Sequence, residues 1–136
     1  MKNKTEILLE LWFESRTRFT NLLENLSDND LPKKLGNSPN SVGFLIRHIG
    51  DVELLFAKNV FGDRSVQVIA KTVIEKKDSG EWTDLAALKN YVSESFEKLK
   101  SIVEKQTEAD WEAEIRTKEF GAKTHALEDW HSLICW

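Results

Sequence analysis

The chain has 136 residues, of which 40% are hydrophobic and 31% charged, which suits one soluble domain and leaves no room for a second independent core. Nineteen Lys and Arg against 23 Asp and Glu give a net charge of −4, an unfavourable balance for a broad nucleic-acid or anionic-lipid surface. No apolar run approaches the ~18 residues of a membrane span and no signal-peptide core follows Met1, so a cytoplasmic protein is expected. The lone Cys135 has no internal disulfide partner. Five Trp and seven Phe beside two Pro and six Gly point to an aromatic-rich core on long regular elements.

From Thr5 to about Leu26, the residues Ile7, Leu8, Leu11, Trp12, Ser15, Phe19, Leu22, Leu23 and Leu26 recur at helical spacing and predict a first helix. Ser27 to Pro39 gathers polar residues, Pro32 and Gly36, and reads as a surface connection. A second helix opens either at Ser38, with Pro39 in its first position, or nearer Ser41. It runs to about Phe61, and Val42, Phe44, Leu45, Ile46, Ile49, Val52, Leu55, Phe56 and Val60 cover roughly 200° of its circumference, a face wide enough for more than one neighbour. The stretch from Gly62 to Gly80 has β-branched residues without a period and reads as a long crossover that can hold a short helix.

Thr83 is the expected cap of a third helix carrying Leu85, Leu88, Tyr91, Val92, Ser95, Phe96, Leu99, Ile102 and Val103, ending near Lys105. Thr107 to Asp110 is a capping-box variant that starts one turn containing Trp111. Ile115 to Gly121 reads as a loop. Thr124 offers the cap of a fourth, short helix with Ala126, Leu127, Trp130, Leu133 and Ile134. The expected fold class is all-α, a single domain over residues 1–136 built as a four-helix bundle, with up-down-down-up connectivity one compatible order. So short a fourth helix leaves apolar stripe uncovered, for which a second copy in a homodimer is the natural partner.

Among chemistry-bearing residues, His48 is the informative one. On the helical wheel it falls between Val52 and Leu55, inside the apolar face, while Arg47 and Asp51 fall on the opposite side. A desolvated neutral imidazole there can ligate a first-row metal or transfer a proton, and an ordinary core histidine satisfied by a carbonyl or water is the competing reading. Glu53 lies on the same broad face, as a second ligand, as a charge beside His48, or in water at the bundle end. Glu128-Asp-Trp-His131 has the Glu-x-x-His spacing of di-metal bundles, but such sites need two copies and the chain has one. His131 and Cys135 share a helical face and can complete a His48 site, although a terminal turn is a poor place for ligands. His125, one residue past the expected cap, is assigned to the surface. No phosphate loop, nucleophile elbow or paired-Cys motif is present.

The run Asn40-Ser-Val-Gly-Phe-Leu-Ile-Arg-His-Ile-Gly-Asp-Val-Glu53, after one long helix and a Leu-Pro loop, resembles the second-helix signature of the DinB-like metalloprotein superfamily. The long middle crossover and the run from Lys118 to Leu127 extend the likeness over nearly the whole chain. The resemblance implies an up-down-down-up four-helix bundle, often homodimeric, holding a divalent metal such as Zn or Ni through one His of the second helix and a His-x-x-x-His pair of the fourth. It also implies chemistry like that of the thiol S-transferases in that group, acting on a small-molecule thiol or electrophile. His48 matches the first ligand position. Where similar sequences carry the pair, this chain reads Asp129-Trp-His-Ser-Leu-Ile-Cys-Trp136. Two functions therefore stand as expectations: a metal-dependent enzyme using His48, and a metal-free bundle that serves as a binding or interaction module.

Overall fold

The computed structural model describes residues 3–112 and the backbone of 114–116 and 123–125. The expected fourth helix, with Glu128, His131 and Cys135, lies outside the described residues. The described fold is all-α, apart from one short hairpin.

Helix α1 spans Lys4–Leu23, capped by the Asn3 side chain, which accepts from the Glu6 amide at 2.9 Å. The expected extension to Leu26 is instead a tightened exit, in which the amides of Asn25 and Leu26 bond carbonyls three residues back. A 3-10 turn at Asp28–Asp30 follows, with a capping box between Ser27 and Asp30. Helix α2 spans Val42–Leu55, and its cap is Ser41, whose hydroxyl accepts from the Phe44 amide at 3.2 Å. Of the two starts compatible with the sequence, the later one forms. The Ser38 hydroxyl is used locally, accepting from the Asn40 amide.

A π-helical turn over Phe56–Val60 continues α2, closed by the Phe61 amide on the Phe56 carbonyl at 2.9 Å. The crossover contains helix α3, Lys71–Glu75. Gly62 and Gly80, both with φ of 77°, mark its ends in a left-handed conformation that costs other residues strain. Helix α4, Leu85–Val103, is capped by Asp84 rather than Thr83: the carboxylate accepts from the Ala87 amide at 3.1 Å, three residues on, where an N-cap oxygen must reach. The expected capping box at Thr107 and Asp110 forms reciprocally and opens helix α5, Glu108–Glu112. Its Trp111 is fully buried, and the indole N–H donates to Thr5 Oγ1 at 2.8 Å. That bond ties α5 to the start of α1.

Strands β1 (Glu114–Arg116) and β2 (Lys123–His125) pair antiparallel, with Ile115 opposite Thr124. Two expectations are corrected here. Ile115 and Arg116 are not loop, and Thr124 and His125 are strand rather than the cap and first turn of a helix. Three-residue strands are too short for an alternating pattern to stand out against a helix-start signal.

Two hydrophobic clusters build the core. One holds Leu9, Trp12, Val52, Phe56, Leu99, Val103 and Trp111 among others; the second is built on Leu23, Leu31, Ile46, Leu85, Leu88 and Val92. Chain order along each helix fixes direction: α1 runs from the first cluster to the second, whereas α2 and α4 both run from the second to the first. Between the clusters, Arg16, Glu53 and Ser95 place a buried polar layer across all three helices. Helix α2 is close-packed where α4 and the loop before it meet it. A Cβ on Gly50 would stand 2.6 Å from the Tyr91 ring, and one on Gly43 would overlap the Trp82 carbonyl oxygen. The sequence can bring α4 and its leading loop this near only because these two α2 positions lack side chains.

Candidate functional site around His48

His48 lies midway along α2, half-buried at the margin of the core. One turn earlier the Phe44 ring stacks on the imidazole, with centroids 6.1 Å apart and planes 8° from parallel. The Nδ1 edge is turned to α3, where Thr72 Oγ1 stands 2.9 Å away. Burial lowers the imidazole pKa from its ordinary value, against the opposing pull of the Asp51 charge, so the neutral ring is favoured near pH 7.

Asp51 is the unexpected centre of the site. The wheel places it with Arg47 on the solvent side, but the carboxylate is completely buried. Its Oδ2 accepts from the Thr72 hydroxyl at 2.7 Å and the Thr72 amide at 3.1 Å. Its Oδ1 accepts from Arg47 Nε at 3.1 Å and from the Tyr91 hydroxyl. Arg47 is also only partly exposed, its guanidinium 3.6 Å from the Tyr91 ring centroid and 5.0 Å from that of Trp82. The correction has a physical cause: α3 and α4 cover the face that a single-helix wheel assigns to water. Burial, then the bond to Asp51, raises the Tyr91 pKa far above the usual phenol range, so the hydroxyl stays protonated and donates.

Glu53 is placed apart from His48. It is not in water at a bundle end but 1% exposed, with Arg16 Nε on Oε2 at 2.9 Å and Arg16 Nη2 on Oε1 at 3.2 Å. Ser95 Oγ donates to Oε1 at 2.7 Å. Both oxygens are committed, so the role of second ligand is withdrawn in favour of an ion pair in the polar layer. Burial raises the Glu53 pKa while Arg16 and Ser95 pull it down. Sequence reasoning missed Arg16, which is 7% exposed and sits where Trp12, Phe19 and Leu23 define the inner face of α1. A charged residue in that stripe, matched by Ser95 in the stripe of α4, was the available signal.

Whether these side chains suit a divalent metal can be judged from the donors. His48 turns Nδ1 to Thr72, the Asp51 oxygens carry four donors, and among the described residues no group of three or more His, Cys, Asp or Glu is placed to hold an ion. A complete ligand set is not formed by the described residues. No described helix is long and apolar enough to cross a membrane.

The described residues define a class: a mainly helical fold that presents the half-buried His48 imidazole from its second helix, backed by a carboxylate-centred network. Comparison with family models makes this specific. The model of the DinB superfamily matches residues 12–136, and the chain belongs to that superfamily. Neither a curated protein nor a solved structure matches it.

Proposed function

We propose that the chain is an up-down-down-up four-helix bundle whose His48 serves as the imidazole ligand of a divalent cation in a thiol S-transferase-like enzyme. The observation that carries this reading is His48 itself: half-buried, stacked beside Phe44 and tied through Thr72 to a buried carboxylate, with burial holding its pKa down. Ligating histidines are typically held in this way by an outer hydrogen bond. When bound, Zn²⁺ or Ni²⁺ would stabilise a small-molecule thiol as its thiolate for attack on an electrophile. The chain's own part is to aim one ring nitrogen and to hold its supporting residues dry.

A second reading is a metal-free bundle that acts as a binding or interaction module. It is favoured by the lack of a three-donor group among the described residues. Metal analysis after reconstitution separates the two. Stoichiometric Zn²⁺ or Ni²⁺ on the wild type, with affinity reduced at least about tenfold in His48→Ala, is expected for the enzyme. A wild type that retains no metal, or metal unaffected by His48→Ala, removes the role of His48.

The proposal includes a cytoplasmic homodimer. Ile7, Leu11 and Leu22 on α1 are exposed apolar residues of the kind a second copy covers. Sedimentation is expected to give twice the chain mass, and a strict monomer at all concentrations would end this part of the proposal.

A further inference from the structure

Helix α3 is a five-residue element in the middle of the crossover, too short to hold itself together. Its Thr72 is 2% exposed and faces α2, where amide and hydroxyl both donate to Asp51 Oδ2. That pair of bonds fixes the direction of the next one. A hydroxyl has a single proton, and the Asp51 carboxylate, which already receives Arg47 and Tyr91 on its other oxygen, is an acceptor only. The Thr72 proton therefore points to Asp51, which leaves a lone pair of Oγ1 facing His48 Nδ1 at 2.9 Å. The contact is closed when Nδ1 carries the ring proton. In the neutral imidazole the basic lone pair is then at Nε2.

We propose that Thr72 and Asp51 are positioning residues which lock His48 in its Nδ1–H tautomer, so that the crossover helix decides which ring nitrogen carries the proton. This lock acts at the site on which the functional proposal rests, but it exists in the metal-free protein and does not need a bound ion. The crossover thereby acquires a role, because α3 carries the middle group of the relay, 24 residues from His48 in sequence. A free histidine side chain prefers the proton on Nε2, so the local bond must overcome that bias. Thr72→Val keeps the shape of the side chain and removes the acceptor, whereas Thr72→Ser keeps the hydroxyl.

The test is long-range proton–nitrogen NMR of the ring nitrogens, on the full metal-free chain, at a fixed pH above the histidine range. His48→Gln assigns the signal among the three histidines. The expected wild-type spectrum has a protonated, pyrrole-like Nδ1 and a pyridine-like Nε2. Thr72→Val is expected to shift the ring toward Nε2–H, and Thr72→Ser to restore the wild-type pattern. A wild-type ring protonated at Nε2 overturns the inference, as does a folded Thr72→Val with unchanged ring signals. Should Thr72→Val fail to fold, the wild-type spectrum decides alone. In reconstituted protein, Thr72→Val is expected to weaken Zn²⁺ binding by about ten- to a hundredfold, and unchanged affinity also counts as refutation. Failure of the wild type to bind Zn²⁺ falls on the functional proposal, and the ring spectra still decide this one.

Discussion

Asp51→Ala is expected to lower unfolding free energy by about 3–5 kcal/mol in urea melts, among the largest losses available to a single substitution in this chain. The carboxylate is completely buried and accepts four hydrogen bonds from Thr72, Arg47 and Tyr91. Alanine removes the acceptor that these donors share. Arg47 can turn toward water because it is partly exposed, and the Thr72 hydroxyl can turn to His48 Nδ1 at 2.9 Å, but the Thr72 amide cannot be re-partnered: it belongs to a residue only 2% exposed, held between α3 and α2. Each stranded buried donor costs about 1–3 kcal/mol, and their sum is not additive. Asp51→Asn fills the same space with one acceptor oxygen and turns an NH2 toward donors, so an intermediate loss of about 2 kcal/mol is expected. Because α3 reaches α2 through these bonds, amide exchange in residues 71–75 should accelerate in Asp51→Ala more than exchange in α4. A loss below about 1 kcal/mol for Asp51→Ala would mean that the network does not hold the crossover.

How much of this is legible in the sequence depends on which neighbours a residue meets. The long helices follow from their own apolar spacing, and capping chemistry at Thr107 and Asp110 is written within four residues, so both form as expected. Ser41 and Ser38 are equally good caps in isolation; the later one prevails because Val42 and Gly43 amides bond the carbonyls of Lys33 and Leu31. The Asn40–Glu53 signature locates His48, but not its support. Thr72 and Tyr91 approach Asp51 from 21 and 40 residues away, and α3 has no period of its own. A helical wheel treats every uncharted side as solvent, which is why it assigns Asp51 to water and allows Glu53 a place at a bundle end. The hairpin of β1 and β2 is hidden for a different reason: three residues per strand carry too little pattern.

The polar layer of Arg16, Glu53 and Ser95 gives an expectation in which two substitutions together cost less than either alone. Arg16→Met by itself leaves the Glu53 carboxylate, 1% exposed, with Ser95 as its remaining donor. Glu53→Leu by itself leaves a guanidinium that is 7% exposed without its counter-charge. Breaking one side of such a pair typically costs about 3–5 kcal/mol, whereas replacing both sides by apolar groups of similar volume is often neutral or stabilising. The structure favours the neutral outcome here because each group the double variant releases has a partner left. Ser95 Oγ already lies 3.0 Å from the Val92 carbonyl, and Thr20 Oγ1 donates to the Arg16 carbonyl at 3.1 Å, a backbone bond that survives the substitution. Phe19 and Phe96, which flank the guanidinium at 4.9 and 5.1 Å, supply apolar contact for the side chains that Arg16→Met and Glu53→Leu introduce. A double-mutant cycle in urea is therefore expected to give single losses of about 3 kcal/mol or more and a double loss within about 1 kcal/mol of zero. Simple additivity of the two losses would show that the pair's worth lies in packing of the two stems rather than in mutual neutralisation. The layer also divides the two hydrophobic clusters, so a double variant that is stable but loses sharp cooperativity would assign the ion pair to fixing the register of α1 against α2 and α4.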